Sequence, residues 1–75
     1  MFPYKNLTGK SGILKYEIGD DYIIVEFKKV EYIFYVYTYE SSGIDKIEKM
    51  KELAILGKGL NSYISKFKPK FDKKY

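Results

Sequence analysis

Three features of the 75-residue sequence predict an α+β fold, with a three-stranded antiparallel β-meander followed by two helices packed on one sheet face. Residues 11 to 39 carry apolar side chains at a period of two. After Gly43 the apolar spacing becomes helical, and short clusters of turn chemistry separate the segments. Strands first and helices second make an α+β order, in which helices gather on one face of an antiparallel sheet.

Strand one runs from Ser11 to Ile18, with Tyr16 and Ile18 on one face and Lys15 and Glu17 on the other. Gly19-Asp20-Asp21 supplies the reversal into Tyr22–Phe27, where Ile23, Val25 and Phe27 share a face. Lys28 to Glu31 turns the chain again into YIFYVYTY, residues 32 to 39, an uncharged run without Gly or Pro in which five of eight residues are aromatic. Continuing the alternation places Tyr32, Phe34 and Val36 on the core face. Ile33, Tyr35 and Tyr37 then join Tyr22, Ile24 and Glu26 on an unusually apolar outer face.

Ser42 followed by Asp45 suggests a capping box opening the first helix, whose stripe is Ile44, Ile47, Met50 and Ala54 with Leu53 beside it. Gly57 suits a left-handed helix end. A second helix is predicted from Leu60, Tyr63, Ile64 and Phe67 at i, i+3, i+4, i+7, and Pro69 stops it. This divides the chain into an N-terminal arm (1–10), one β-β-β-α-α domain (11–67) and a basic tail (68–75) without periodic signal.

Composition narrows the function. A domain of this length buries only about 60 to 65% of its unfolded surface, and with no Cys and no His it has neither disulfide nor zinc as a staple. The same absences remove the thiolate and the imidazole from catalysis, and no serine has a recognisable partner base, so a non-enzymatic binding module is expected, with no cofactor and no metal. The opening MFPYKNLTGKSG lacks the apolar core of a signal peptide, and no run is long enough to span a bilayer; a cytoplasmic protein is expected. Asn6-Leu7-Thr8 is a chance glycosylation match in such a protein. Thr8-Gly9-Lys10-Ser11 resembles the end of a phosphate-binding loop, but Tyr4 stands where that loop needs Gly, and a strand follows where it needs a helix.

The residues Ser11-Gly12-Ile13, Ile23-x-Val25-x-Phe27, Tyr32-x-Phe34 and Gly57-x-x-x-Asn61-x-x-Ile64, with Pro69 after them, resemble the KTSC domain, a short family named for a C-terminal segment of lysyl-tRNA synthetase-like proteins. The resemblance spans about residues 11 to 69. It departs from the family at Val30, where a hairpin Gly is usual, at Ile55, where a small polar residue is usual, and in lacking Val-Pro after strand three. It implies a β-meander followed by two helices, and the synthetase-linked name suggests RNA.

Three candidate sites remain. The first is a protein interface on strand 32–39 and the outer sheet face, made by Tyr22, Ile24, Ile33, Tyr35, Tyr37 and Tyr39. In a meander strand three lies at an edge, and an uncharged aromatic edge templates pairing. Either the N-terminal Phe2 to Leu7 covers it or a second copy does, forming a homodimer. The second is the tail, where Lys66, Lys68, Lys70, Lys73 and Lys74 against Asp72 hold the entire net charge of +4. Interleaved with Phe67, Phe71 and Tyr75, these lysines suit weak, non-specific nucleic-acid binding by point charge, since the chain has no Arg to read base edges bidentately. The third is the turn Gly57, Lys58, Gly59 with Asn61. There an anion could sit on the helix N-terminus, or Asn61 could cap it.

Overall fold

The computed structural model describes residues 1–9, 11–28 and 34–75, and within these the chain is α+β, with an antiparallel sheet and three helices. The strands are β1 (Phe2–Pro3), β2 (Ile13–Ile18), β3 (Tyr22–Phe27), β4 (Phe34–Thr38) and β5 (Lys73–Lys74). The helices α1 (Tyr39–Ser42), α2 (Ile44–Leu56) and α3 (Leu60–Phe67) lie between β4 and β5. The sheet order is β1-β2-β3-β4-β5 with every neighbour antiparallel. The predicted meander is therefore the centre of a sheet to which both chain ends add a short strand. Expectations that rest on Lys10 and on residues 29–33, including the turn into strand three and the placement of Tyr32 and Ile33, lie outside the described residues.

The helices cover one sheet face. Ile47, Met50 and Ala54 of α2 and Leu60 of α3 are buried against Ile13, Ile23, Val25 and Phe27. Ile44, expected to begin the stripe, is exposed. A β-bulge in β2 puts Ile13 opposite Phe27 and Lys15 opposite Glu26. One extra residue resets the alternation, so Ile13 and Tyr16 both contribute to the core although they are an odd number of positions apart.

The register of β4 overturns the predicted faces of strand three. Tyr37 lies opposite Ile23, Tyr35 opposite Val25, and Val36 opposite Ile24. Directly opposed residues share a sheet face, so Tyr35 and Tyr37 belong with the core and Val36 with the outer face. Tyr37 is only 3% exposed. Both phases of FYVYT are apolar, so hydrophobicity could not choose between them; parity is not conserved through a turn, and pairing with β3 made the choice.

The helix starts also differ from expectation. Thr38 and Ser41 form the capping box, each hydroxyl accepting from the other's backbone N–H at 3.0 Å, and this opens α1 rather than α2. α2 instead begins after Gly43 (φ 93°), which provides no side-chain cap. Gly57 ends α2 as predicted, at φ 88° with its N–H donating to the Leu53 carbonyl. A Cβ there would come within 2.6 Å of Lys5 Cβ, and the Gly57 carbonyl accepts from Leu7 N–H at 2.8 Å, so this glycine also seats the N-terminal arm.

Both sheet edges of the described chain are short. β1 contains Pro3 and pairs with β2, while β5 is two lysines paired with β4. The N-terminal segment thus covers β2, and the position beside β4 is held by the C-terminal segment, not by Phe2 to Leu7. No helix among the described residues is long and apolar enough to cross a membrane.

Candidate functional site

The lysine-rich end of the chain is built into the sheet. Phe34 N–H donates to the Tyr75 carbonyl at 2.7 Å, Tyr75 N–H returns a bond to Phe34 at 2.9 Å, and Asp72 N–H donates to Val36 at 2.7 Å. The Ser41 and Ser42 hydroxyls both donate to the Lys70 carbonyl, which ties the approach to β5 onto α1. The expected tail thereby becomes an ordered edge carrying Lys70, Lys73 and Lys74, which are exposed, as are Lys66 and Lys68 at the end of α3. Alternation along β5 sends Lys73 toward the outer face and Lys74 toward the helical face.

Lys74 reaches an aromatic cluster. Its Nζ lies 6.0 Å from the Tyr35 ring centre and 5.4 Å from that of Phe71. Tyr35 in turn meets Phe71 edge-on at 5.1 Å, Phe27 edge-on at 5.3 Å and Tyr37 in a stacked arrangement at 6.3 Å. Between this cluster and α3 is a cavity of about 330 Å³, with Phe27, Lys28, Tyr35 and Tyr37 on one side and Asn61, Ile64 and Ser65 on the other. Its described lining has one cation and no carboxylate.

Tyrosine and asparagine positions that the sequence placed in separate candidate sites thus meet in one cavity, beside a lysine from the third. Phe27, Lys28 and Ser65 were not anticipated there, nor was Phe71 against Tyr35. Ser65 was within reach of sequence reasoning, since it follows Asn61 by four residues and must share its helix face. Phe71 and Lys28 arrive through strand pairing, which leaves no local signal.

The rest of the predicted interface is dispersed. Tyr22 lies on the outer face and its hydroxyl donates to Glu17 at 2.9 Å. That hydrogen bond to a carboxylate, reinforced by the same charge, raises the Tyr22 pKa. Ile24 sits near it in a shallow groove of about 290 Å³ shared with Val36, Lys73 and Tyr75. Tyr39 belongs to α1, where its hydroxyl donates to Glu48, and the Lys51 ammonium lies 5.2 Å from its ring centre and 2.9 Å from Glu48. Lys51 also donates to the Asp20 carbonyl at 2.9 Å, so this cluster fastens α2 to the β2–β3 hairpin. Ile33 lies outside the described residues.

The expected anion site at the turn does not assemble. Gly59 and Asn61 border a small cavity of about 140 Å³ with Tyr4, Thr8, Ser11 and Ser62; Gly57 and Lys58 do not line it, and its described lining has no lysine. Asn61 does not cap α3 either. The Leu60 N–H, one of the unpaired donors of the first turn, is 3.3 Å from the hydroxyl of Tyr4, a buried residue of the N-terminal arm. A cap supplied from 56 positions away has no signature in the local sequence. Released from that role, the Asn61 amide has no hydrogen-bond partner among the described residues.

Burial pushes the Tyr37 hydroxyl up to about 12, with the neighbouring Tyr35 adding to the shift. The neutral phenol is then favoured in the folded state, whereas the unfolded chain ionises near 10. Tyr37 therefore costs the fold nothing below pH 10, and stability falls as pH rises from 10 toward 12. An absorbance titration at alkaline pH, followed in parallel by circular dichroism, is expected to show a late tyrosine ionisation coincident with unfolding and missing in Tyr37→Phe.

The chain matches no protein-family model, no curated protein and no solved structure. Among the described residues no group of carboxylates could hold a metal ion.

Proposed function

We propose that this protein is a small non-enzymatic module that binds single-stranded nucleic acid, RNA being the expected form, along its lysine-rich C-terminal edge. The observation that carries this reading is the hydrogen bonding of residues 72–75 to β4, which fixes Lys73 and Lys74 in the sheet. Exposed Lys66, Lys68 and Lys70 precede them from the end of α3, and the rings of Phe67, Phe71 and Tyr75 are interleaved with these lysines along the chain. Those rings are 47%, 42% and 56% exposed. Cations that follow a phosphate backbone, interleaved with rings on which bases stack, are the two components of sequence-tolerant single-strand binding. With lysine alone the attraction is charge without a base code.

The reading predicts affinity that falls steeply with salt. Five phosphate contacts correspond to a slope of log K against log salt of about −3.5 for a single strand. Replacing Lys73 and Lys74 together by Gln is expected to reduce that slope by about 1.4 and to leave the melting temperature nearly unchanged. Failure to bind RNA or DNA at low salt would remove the proposal. Light scattering in the same buffer tests the other reading, in which a protein partner or a second copy docks on the outer face around Tyr22 and Ile24; a concentration-dependent mass lowered by Ile24→Lys would favour it.

A further inference from the structure

We infer that the cavity between Tyr35 and α3 is a slot for one nucleobase, which gives the module a contact that reads bases in addition to phosphates. Its wall on the sheet side is Phe27, Tyr35 and Tyr37, while its opposite wall presents Asn61 and Ser65 from successive turns of α3. The amide of Asn61 and the hydroxyl of Ser65 each offer a donor and an acceptor, and neither has a partner among the described residues. An aromatic wall facing unpaired donors and acceptors suits a planar heterocycle with polar edges. A hydrocarbon ring would leave the amide unsatisfied.

The cavity volume of about 330 Å³ is at the lower end of small-molecule sites, roughly 300 to 1,000 Å³, which fits one ring system and not an extended ligand. Among the described residues the charge around it favours an anion. Lys28 borders the cavity, and Lys74 lies over the outer edge of the same aromatic cluster, beside Phe71. A base in the slot has its phosphate directed toward β5, where the remaining lysines continue the track. For that track the inference rests on the strand-binding reading above, whereas the slot itself takes the base of a free nucleotide equally well.

Four probes separate these cases: a short single-stranded RNA, a sugar-phosphate strand of equal length without bases, uridine monophosphate and adenosine monophosphate. Anisotropy at low salt is expected to give tighter binding of the RNA than of the abasic strand by about tenfold or more. Asn61→Ala is expected to weaken RNA binding about tenfold, leaving the abasic strand and the salt slope unchanged. Ser65→Ala is the second variant, with the smaller loss of one hydroxyl, and it carries the test if Asn61→Ala fails to fold. Equal affinity for RNA and abasic strand overturns the slot and leaves the lysine edge standing as a polyanion site. Binding of a monophosphate that shifts the Asn61 side-chain amide resonances, with neither strand bound, supports the slot and removes the strand reading. No response to any of the four overturns both.

Discussion

Tyr37→Lys is expected to unfold the protein at neutral pH, whereas Ile24→Lys, one residue out of phase on the partner strand, is expected to leave it folded. Tyr37 is 3% exposed and faces Ile23 in the middle of the core. Removing its ring costs about 3–5 kcal/mol by analogy with other buried aromatics, and an unpaired ammonium in the same position adds a desolvation penalty of several kcal/mol. A 75-residue domain has about 4–11 kcal/mol in total, so the substitution exhausts it. Ile24 is half-buried on the outer face beside Tyr22 and Glu26, and a lysine there can direct its ammonium to water, at a cost of about 1 kcal/mol. Thermal melts by circular dichroism of the two variants decide the matter. A folded Tyr37→Lys together with an unfolded Ile24→Lys would restore the opposite sheet face for strand four.

Deleting residues 70–75 is expected to do three things at once. Stability falls by about 2–3 kcal/mol, because the backbone hydrogen bonds to β4 and the contacts of Phe71 with Tyr35 and Tyr75 with Phe34 are lost, partly offset by the freedom the segment regains. The melting temperature drops by roughly 10–20 °C. Salt-dependent nucleic-acid binding is lost with three of the five lysines and two of the three exposed rings. The third effect is new association: β4 becomes a bare edge whose described residues Phe34–Thr38 carry no charge, which invites pairing with another chain. Light scattering of the truncated protein should show a mass rising with concentration, whereas full-length protein carrying Lys73→Gln and Lys74→Gln should behave as the parent does. A truncated protein that melts at the parent temperature would show that β5 contributes nothing to the edge.

These two variants probe the places where sequence reasoning and structure part. Helices α2 and α3 were legible and α1 was not: the Ile47, Met50, Ala54 spacing recurs every three or four residues, and Gly57 is a residue that tolerates positive φ where α2 ends, whereas α1 is a single turn too short to show a period. The β2–β3 hairpin was legible for the same reason, with turn residues between two alternating runs. Strand four was legible as a strand but not in its facing, because Phe34, Tyr35, Val36 and Tyr37 offer two equally apolar phases. The need for a cover over its edge could also be read; the identity of that cover could not, since nothing in Lys68 to Tyr75 alternates like a conventional strand.

The candidate site divides along the same line. Lysine content, the interleaved rings of the C-terminal segment and the polar Asn61 are properties of single residues or of near neighbours, and composition and spacing reveal them. That Tyr35 meets Phe71 and lies under Lys74, and that Asn61 faces Tyr35 across a cavity instead of capping α3, depends on pairings across much of the chain. Local periodicity and composition determined α2, α3, the central hairpin and the location of the charge. Which face of strand four is buried, which segment closes the edge, and which side chains share a cavity were decided by long-range register and packing, because each had local alternatives of nearly equal free energy and only the assembled core separates them.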